Sequence, residues 1–421
     1  MRFLLYPDTR TFVFRFSQQP YNLTTSNKIL SAISQEFLLD TCSSPKMARF
    51  FILTTVFVAR CTALGLPFAI PRGTGPYYTS IVNEEWVDTS RLDPFNQTHA
   101  RRLMISRFDP ILPSECERMV QIPYMSNTTA ILEDEILGSY EYPKGLRYYH
   151  EACDAIPDGN HWPIVISSGG YNTTRFLSNY FAQEIASHGF TVINLDHPYE
   201  TDIVEFPNGD IIIGGRVERP SNESTASAEF GLEVRAKDAS FVLDRLGVKP
   251  DEDVVMFGCS FGGAATATAM LGDKRIRAGV NIDGTMFGPV LNRSLGTPER
   301  PQAFMLWGSD QHVSLGDVSW DRFWAALRNS PHVDYKKEFT ISNTTHLSYW
   351  DLSVLVDVAG VRGNLSETAS LLVGPPPSTR NWIDIPGRYI TAFFSYMLGL
   401  ELEDDVLKGP NDEFPEVNLI K

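Results

Sequence analysis

The chain has 421 residues, a formal net charge of −15, and 43% hydrophobic against 21% charged residues. That balance supports a sizeable buried core and excludes a disordered chain. The acidic excess, with no clustered Lys/Arg face, speaks against a nucleic-acid partner. The length suits one α/β domain of about 250–350 residues plus extra segments.

The first extra segment is amino-terminal. Met47-Ala48-Arg49 leads into an apolar stretch, 50–59, followed by Arg60-Cys61-Thr62-Ala63-Leu64-Gly65. A positive start, a short apolar run and small residues near Ala63 or Gly65 form the pattern of a secretory signal peptide. Such a run is too short to cross ~30 Å of hydrocarbon, so no stable membrane span is expected. The chain therefore divides into a leader, 1–65, whose signal-like segment at 47–63 sits behind an upstream extension, and a folded domain, 66–421. A leader that stays attached as an anchor is the alternative.

Past Gly65 there are seven Asn-x-Ser/Thr sequons, at Asn96, Asn127, Asn172, Asn222, Asn292, Asn343 and Asn364. Together with the leader they point to a secreted glycoprotein. Removing the leader takes Cys42 and Cys61 with it and leaves Cys116, Cys153 and Cys259. Cys116 and Cys153 then form the natural disulfide pair, closing a loop worth about 4 kcal/mol of chain entropy. Two unpaired thiols are the plainer reading, and Cys259 is expected buried and free.

From residue 66 to 149 the sequence is rich in Pro, Asp and short polar runs, with 77–107 reading as irregular strands. From Trp162 onward, apolar runs at 163–167, 191–195, 253–257, 278–282 and 303–307 alternate with helical patterns. This is the signature of a mostly parallel sheet whose strands are covered by helices on both faces. Helices are expected at 173–188, where Leu177, Phe181 and Ile185 recur every four residues before Gly189, and at 229–246, 261–271 and 388–398. Between 201 and 228, Asn208-Gly209 signals a hairpin. It follows a strand's carboxyl end, so it is a candidate rim of the pocket.

One motif carries chemistry. Gly258-Cys259-Ser260-Phe261-Gly262-Gly263 follows the run at 253–257 and opens a helix, which satisfies both the spacing and the strand–turn–helix context of a G-x-S-x-G nucleophile elbow. Glycines two positions either side let the chain turn sharply around Ser260. A serine hydroxyl needs a base and a group to orient that base. In the chain order Ser, acid, His, three of the eight histidines qualify: His312, His332 and His346. His346 follows a strand-like stretch at 339–344 near the end of the domain and is the expected base; His312 and His332 read as surface or hydrogen-bonded histidines. The loop Ser167-Ser168-Gly169-Gly170-Tyr171 supplies small residues for an oxyanion hole, with the N–H groups of Gly170 and Phe261 as the expected pair. For the acid, the usual strand count gives Asp310, in Trp307-Gly308-Ser309-Asp310, while Asp283 ends the preceding run in Asn281-Ile282-Asp283-Gly284. No H-E-x-x-H, no Cys/His cluster at zinc spacing and no phosphate loop is present, so neither metal nor cofactor is expected.

Over residues 75–400 the chain resembles the platelet-activating-factor acetylhydrolase-like family of the α/β hydrolases, in its secreted fungal form. The resemblance lies in Gly75-Pro76-Tyr77, Asp88-Thr89-Ser90-Arg91, Asp93-Pro94-Phe95, Arg102-Leu103-Met104 and Ala186-Ser187-His188-Gly189-Phe190. It continues through Asp196-His197-Pro198, the Ser260 elbow, Asn281-Ile282-Asp283-Gly284, Phe287-Gly288-Pro289, and His346 with Trp350-Asp351. Family members often carry His where this chain has Cys259 and Ser168. The resemblance implies that Asp283 is the acid, that no metal is needed, and that the substrate is a small-molecule or lipid ester with a short or oxidised acyl group. A biosynthetic hydrolase for an ester or lactone, and a catalytically silent binding protein on the same fold, are the other readings.

Overall fold

The structure is a computed structural model that describes residues 67–155, 162–310, 312–377 and 381–421. The leader, its signal-like segment and the expected cleavage point lie outside the described residues. In chain order come β1 (Phe68–Ile70), β2 (Tyr78–Leu92), β3 (Ala100–Ile111), β4 (Met119–Pro123), α1 (Asn127–Gly138), β5 (Tyr148–Cys153), β6 (Ile164–Ser168), α2 (Asn179–Ser187) and β7 (Thr191–Leu195). The hairpin β8 (Ile203–Glu205) and β9 (Ile211–Ile213) precedes α3 (Ala226–Arg245), β10 (Val254–Cys259), α4 (Phe261–Gly272), β11 (Ile276–Ile282) and β12 (Gln302–Gly308). Last come α5 (Val318–Arg328), β13 (Val333–Ile341), α6 (Asp351–Val358), α7 (Glu367–Val373), α8 (Asp384–Met397) and β14 (Val417–Leu419).

Among the described residues, nine strands form one sheet in the order β14-β13-β12-β11-β10-β6-β7-β3-β2. Pairing is parallel from β13 to β7 and antiparallel at both margins. Alternation along β10 explains why both faces are covered. Val255, Phe257 and Cys259 point into one core with Phe181 and Ile185 of α2 and Tyr389, Phe393 and Phe394 of α8. Val254 and Met256 point into the other, with Leu232 and Val242 of α3, Ala264 of α4, and Trp320 and Phe323 of α5. Each fully covered apolar side chain contributes about 1.5–3 kcal/mol. No helix among the described residues is long and apolar enough to cross a membrane.

The chain runs from β6 outward to β7 and later returns to place β10 on the other side of β6. Strand order thus reverses between β6 and β10, and the crevice beyond their carboxyl ends is where an open α/β sheet presents a site. Those two ends carry the Ser168–Gly170 loop and Ser260.

Several local expectations are corrected. Residues 77–107 are strands, but longer than the sequence suggests: β2 and β3 have 15 and 12 residues and pair through most of their length, with a register shift between Asp88 and Leu92. Their mixed polarity reflects an antiparallel margin, which the search for buried parallel runs undervalues. The helix expected at 173–188 opens with a 3₁₀ turn, Arg175–Ser178, before α2 begins. The stretch at 339–344 belongs to a longer β13 that ends at Ile341. In the hairpin, the N–H of Gly209 donates to Phe206 O at 2.9 Å and Gly209 takes φ +87°. The expected hairpin is thus present, as a three-residue loop closed by a left-handed glycine. Cys116 and Cys153 are bonded, with Cα atoms 5.6 Å apart, and Cys259 is free and buried.

Candidate active site

Ser260 sits between β10 and α4 with φ 55° and ψ −122°. Side-chain-bearing residues rarely hold such a conformation, and it persists only where the surroundings over-determine it. Its N–H donates to Ile282 O at 2.7 Å and its carbonyl accepts from Gly263 N–H at 2.9 Å. The flanking glycines permit the turn by contact. A Cβ on Gly258 would lie 2.2 Å from Gly262 C, and one on Gly262 would lie 1.9 Å from Ser168 O. The second clash shows how closely the elbow is pressed against the Ser168–Gly170 loop.

His346 begins a 3₁₀ turn just past β13, fixed by a capping box between Thr345 and Ser348. Tyr349, in the same turn, donates its hydroxyl to Gly308 O at 2.9 Å and pins the loop to β12. The imidazole is thereby held with Nε2 3.0 Å from Ser260 Oγ and Nδ1 2.6 Å from Asp283 Oδ2. Asp283 leaves β11 with φ 59°, and its Oδ1 accepts from Ser309 N–H at 2.5 Å. Burial would push this carboxyl up. The charge of His312, its hydrogen bond and that of His346 outweigh burial and carry Asp283 well below the ordinary carboxylate range. Asp310 does not join the group: its side chain is exposed, and only its backbone N–H reaches the histidine loop, at Thr344 O. His332 lies at the start of β13, at the opposite end of that strand.

Gly170 N–H and Phe261 N–H have no hydrogen-bond partner among the described residues. Phe261 opens α4, whose first N–H groups lack intrahelical acceptors, so its donor and the positive helix end face outward. Arg235 of α3 clamps the opposite side of the loop. Its Nη1 donates to Gly169 O at 2.6 Å and its Nη2 to Gly170 O at 2.8 Å. In a trans peptide N–H points away from C=O, so holding these two carbonyls turns the N–H groups of Gly170 and Tyr171 away from Arg235. Trp350 covers the loop from another direction, 2.8 Å from where a Cβ on Gly170 would lie.

No family model matches the chain. A protein of Arthroderma benhamiae named "Probable 1-alkyl-2-acetylglycerophosphocholine esterase" is 38% identical over 379 residues, covering 86% of this chain and 96% of that one. The chain belongs to this platelet-activating-factor acetylhydrolase-like esterase family. A solved ferulic acid esterase from Streptomyces cinnamoneus superposes with a TM-score of 0.68 at 25% identity, covering 85% of this chain and 100% of that one. The protein is a carboxylic ester hydrolase of the α/β-hydrolase fold.

At the Ser168–Gly170 loop the esterase holds a second Ser–His–Asp row. Ser168 Oγ is 3.0 Å from His197 Nε2, and His197 Nδ1 is 2.8 Å from Asp238 Oδ2. Ser168, His197 and Asp238 are all buried. Arg235 Nη1 also donates to Ser168 Oγ at 2.9 Å, and Arg101 forks onto Asp238 through Nε and Nη2. Burial and the nearby Arg235 hold His197 below its ordinary range, while Asp238 offsets part of that. Sequence reasoning singled out Asp196-His197-Pro198 as a resemblance but gave it no role, and it missed Arg235, whose signal was a lone arginine within an apolar helix stripe. The 201–228 insertion meets this region through Tyr171, which donates its hydroxyl to Val217 O at 2.6 Å.

Proposed function

We propose that this esterase acts through an acyl-enzyme on Ser260, and the observation that carries the reading is the unbroken row Ser260–His346–Asp283 beneath two unpartnered backbone donors. His346 Nε2 takes the Ser260 proton as Oγ attacks the ester carbonyl, then returns it to the leaving alcohol; water repeats the cycle in reverse. Asp283 fixes the tautomer that leaves Nε2 unprotonated and stabilises the imidazolium. Gly170 and Phe261 N–H hold the oxyanion, each contributing about 10²–10³ in kcat.

The substrate is a short-acyl ester of a small molecule or lipid, of the kind named by the relative. Trp350 beside Gly170, and Phe261 set edge-on to Tyr171 at 5.8 Å, supply an apolar surround. A series of p-nitrophenyl esters tests this. Activity should peak at acetyl to butyryl and fall with length, and a peak at dodecanoyl contradicts it.

The protein is also proposed to be a secreted glycoprotein. The signal-like segment at 47–63 supports export, as does the Cys116–Cys153 disulfide. Of the seven sequons, Asn127, Asn222, Asn292, Asn343 and Asn364 are exposed and open to a glycan. Mature protein from the native source should begin near Leu64 to Leu66 and lose mass on deglycosylation. A mature chain beginning at Met1 without glycan contradicts the proposal.

A further inference from the structure

Asp283 is held from two sides. Besides His346 on Oδ2, it meets His312, whose Nδ1 lies 3.1 Å from Oδ1. The other ring nitrogen of His312 lies 2.9 Å from Asp317 Oδ2. A neutral imidazole has one N–H and one lone pair, and a carboxylate only accepts. With a carboxylate oxygen at each nitrogen, one contact would set lone pair against lone pair unless the ring carries both protons. Its surroundings suit a cation. The ring stacks on Trp320 at 4.1 Å between centroids, and an aromatic face attracts positive charge. Trp320 is fixed in turn by donating Nε1–H to Gly284 O at 2.7 Å. Asp317 is oriented too. It caps α5, its Oδ1 accepting from Ser319 and Trp320 N–H, which leaves Oδ2 for His312.

We infer that His312 is a positioning residue for ester hydrolysis: a doubly protonated imidazole that keeps Asp283 ionised and holds it by Oδ1 while His346 takes Oδ2. The inference rests on the Ser260–His346–Asp283 reading. Its physical basis is that a cation beside Asp283 stabilises the ionised carboxylate and offsets part of its negative charge. Burial alone would lower the pKa of His312. The charge of Asp283, its hydrogen bond and then Asp317 prevail and hold it at about 10. The other titratable groups beside Asp283 are Tyr349, whose hydroxyl burial pushes up, and Cys259, whose thiol burial pushes up; Glu338 of β13 meets the segment after His312 by accepting from Ser314 N–H, and Asp351 of α6 is held by Tyr124 and the N–H of Tyr180. Tyr349 and Cys259 stay neutral, and neither supplies a positive charge.

The experiment is the pH dependence of kcat/KM on a soluble acetyl ester for wild type and for His312→Gln, His312→Asn and His312→Lys, each checked for folding by thermal melt. In the folded Gln or Asn variant the acidic limb should move up by about one pH unit, and Lys should restore at least half of that shift. An unmoved limb in a folded neutral variant, or the same shift in the Lys variant, overturns the inference. Independently of any substitution, histidine side-chain ¹⁵N NMR of wild type should show one ring still doubly protonated at about pH 8, where an ordinary histidine is neutral. Finding every ring neutral there overturns it as well. The underlying reading fails separately, through full activity of Ser260→Ala at any pH.

Discussion

Two rows of serine, histidine and aspartate lie on opposite sides of one loop, and only one of them is open to solvent. In both, the serine hydroxyl is 3.0 Å from a histidine Nε2 and the histidine Nδ1 meets an aspartate, at 2.6 Å for Asp283 and 2.8 Å for Asp238. At Ser260 the hydroxyl has no other donor pointing at it among the described residues, and His346 keeps 36% of its side-chain surface exposed. At Ser168 the site is sealed, and Arg235 donates to the hydroxyl oxygen whose lone pairs a nucleophile would need. The lesson is that residue types and hydrogen-bond order do not define a nucleophile. Access and the direction of the neighbouring donors do. The buried row instead braces the Ser168–Gly170 loop, which lies against the Ser260 elbow.

Substitutions can break or sharpen this contrast, and the largest effect falls on the nucleophile. Ser260→Ala should lower kcat by about 10⁶, whereas Ser168→Ala, assayed identically, should stay within about tenfold of wild type. Comparable losses in both would erase the distinction. Next is the acid. Asp283→Asn should cost about 10⁴ in kcat by trapping the wrong tautomer of His346, while Asp310→Asn changes it only a few-fold. The reverse ranking in folded variants would move the acid to Asp310.

Arg235 links the two rows, so Arg235→Lys, which keeps the charge but loses the fork onto Gly169 and Gly170, should lower kcat by about 10² with little change in KM. A rise in KM alone would mean that the clamp shapes the pocket and not the oxyanion donors. The smallest effect is on stability, and its sign differs between the two regions. His197 has a lowered pKa in the folded state, so its contribution is present above about pH 6.5 and is lost as pH falls. His312 has a raised one, so its contribution is complete below about pH 6.5 and is lost as pH rises toward about 10. Thermal melts should show His197→Asn flattening the acid side of the Tm profile and His312→Gln flattening the alkaline side; the same side for both contradicts the assignment.

How much of this was legible in the sequence depended on whether the determining contacts were local. The elbow was, because its glycines, preceding strand and following helix lie within a few residues and report the steric demand at Ser260 directly. The central strands were also legible, since burial on both faces leaves uninterrupted apolar runs. Choosing Asp283 over Asp310 needed family resemblance: both follow a strand end, and only the left-handed turn at Asp283 and the approach of Ser309 N–H decide which carboxylate meets His346. The contacts made by the braces were not legible. Arg235 and Gly170 are 65 residues apart, Asp238 and His197 are 41 apart, and His312 and Asp283 are 29 apart. The arginine in the apolar stripe of α3 marks Arg235 as a buried charge, but nothing in local composition names its partners, or those of His197 and His312, until the strands bring them together.

The central claim is that Ser260, and not Ser168, is the nucleophile of this esterase. Labelling with a fluorophosphonate, followed by peptide mapping, tests it directly on folded wild type, Ser260→Ala and Ser168→Ala. One adduct on Ser260 in wild type and in Ser168→Ala, with none in Ser260→Ala, is the predicted result. An adduct on Ser168, or undiminished labelling of Ser260→Ala, would contradict the account.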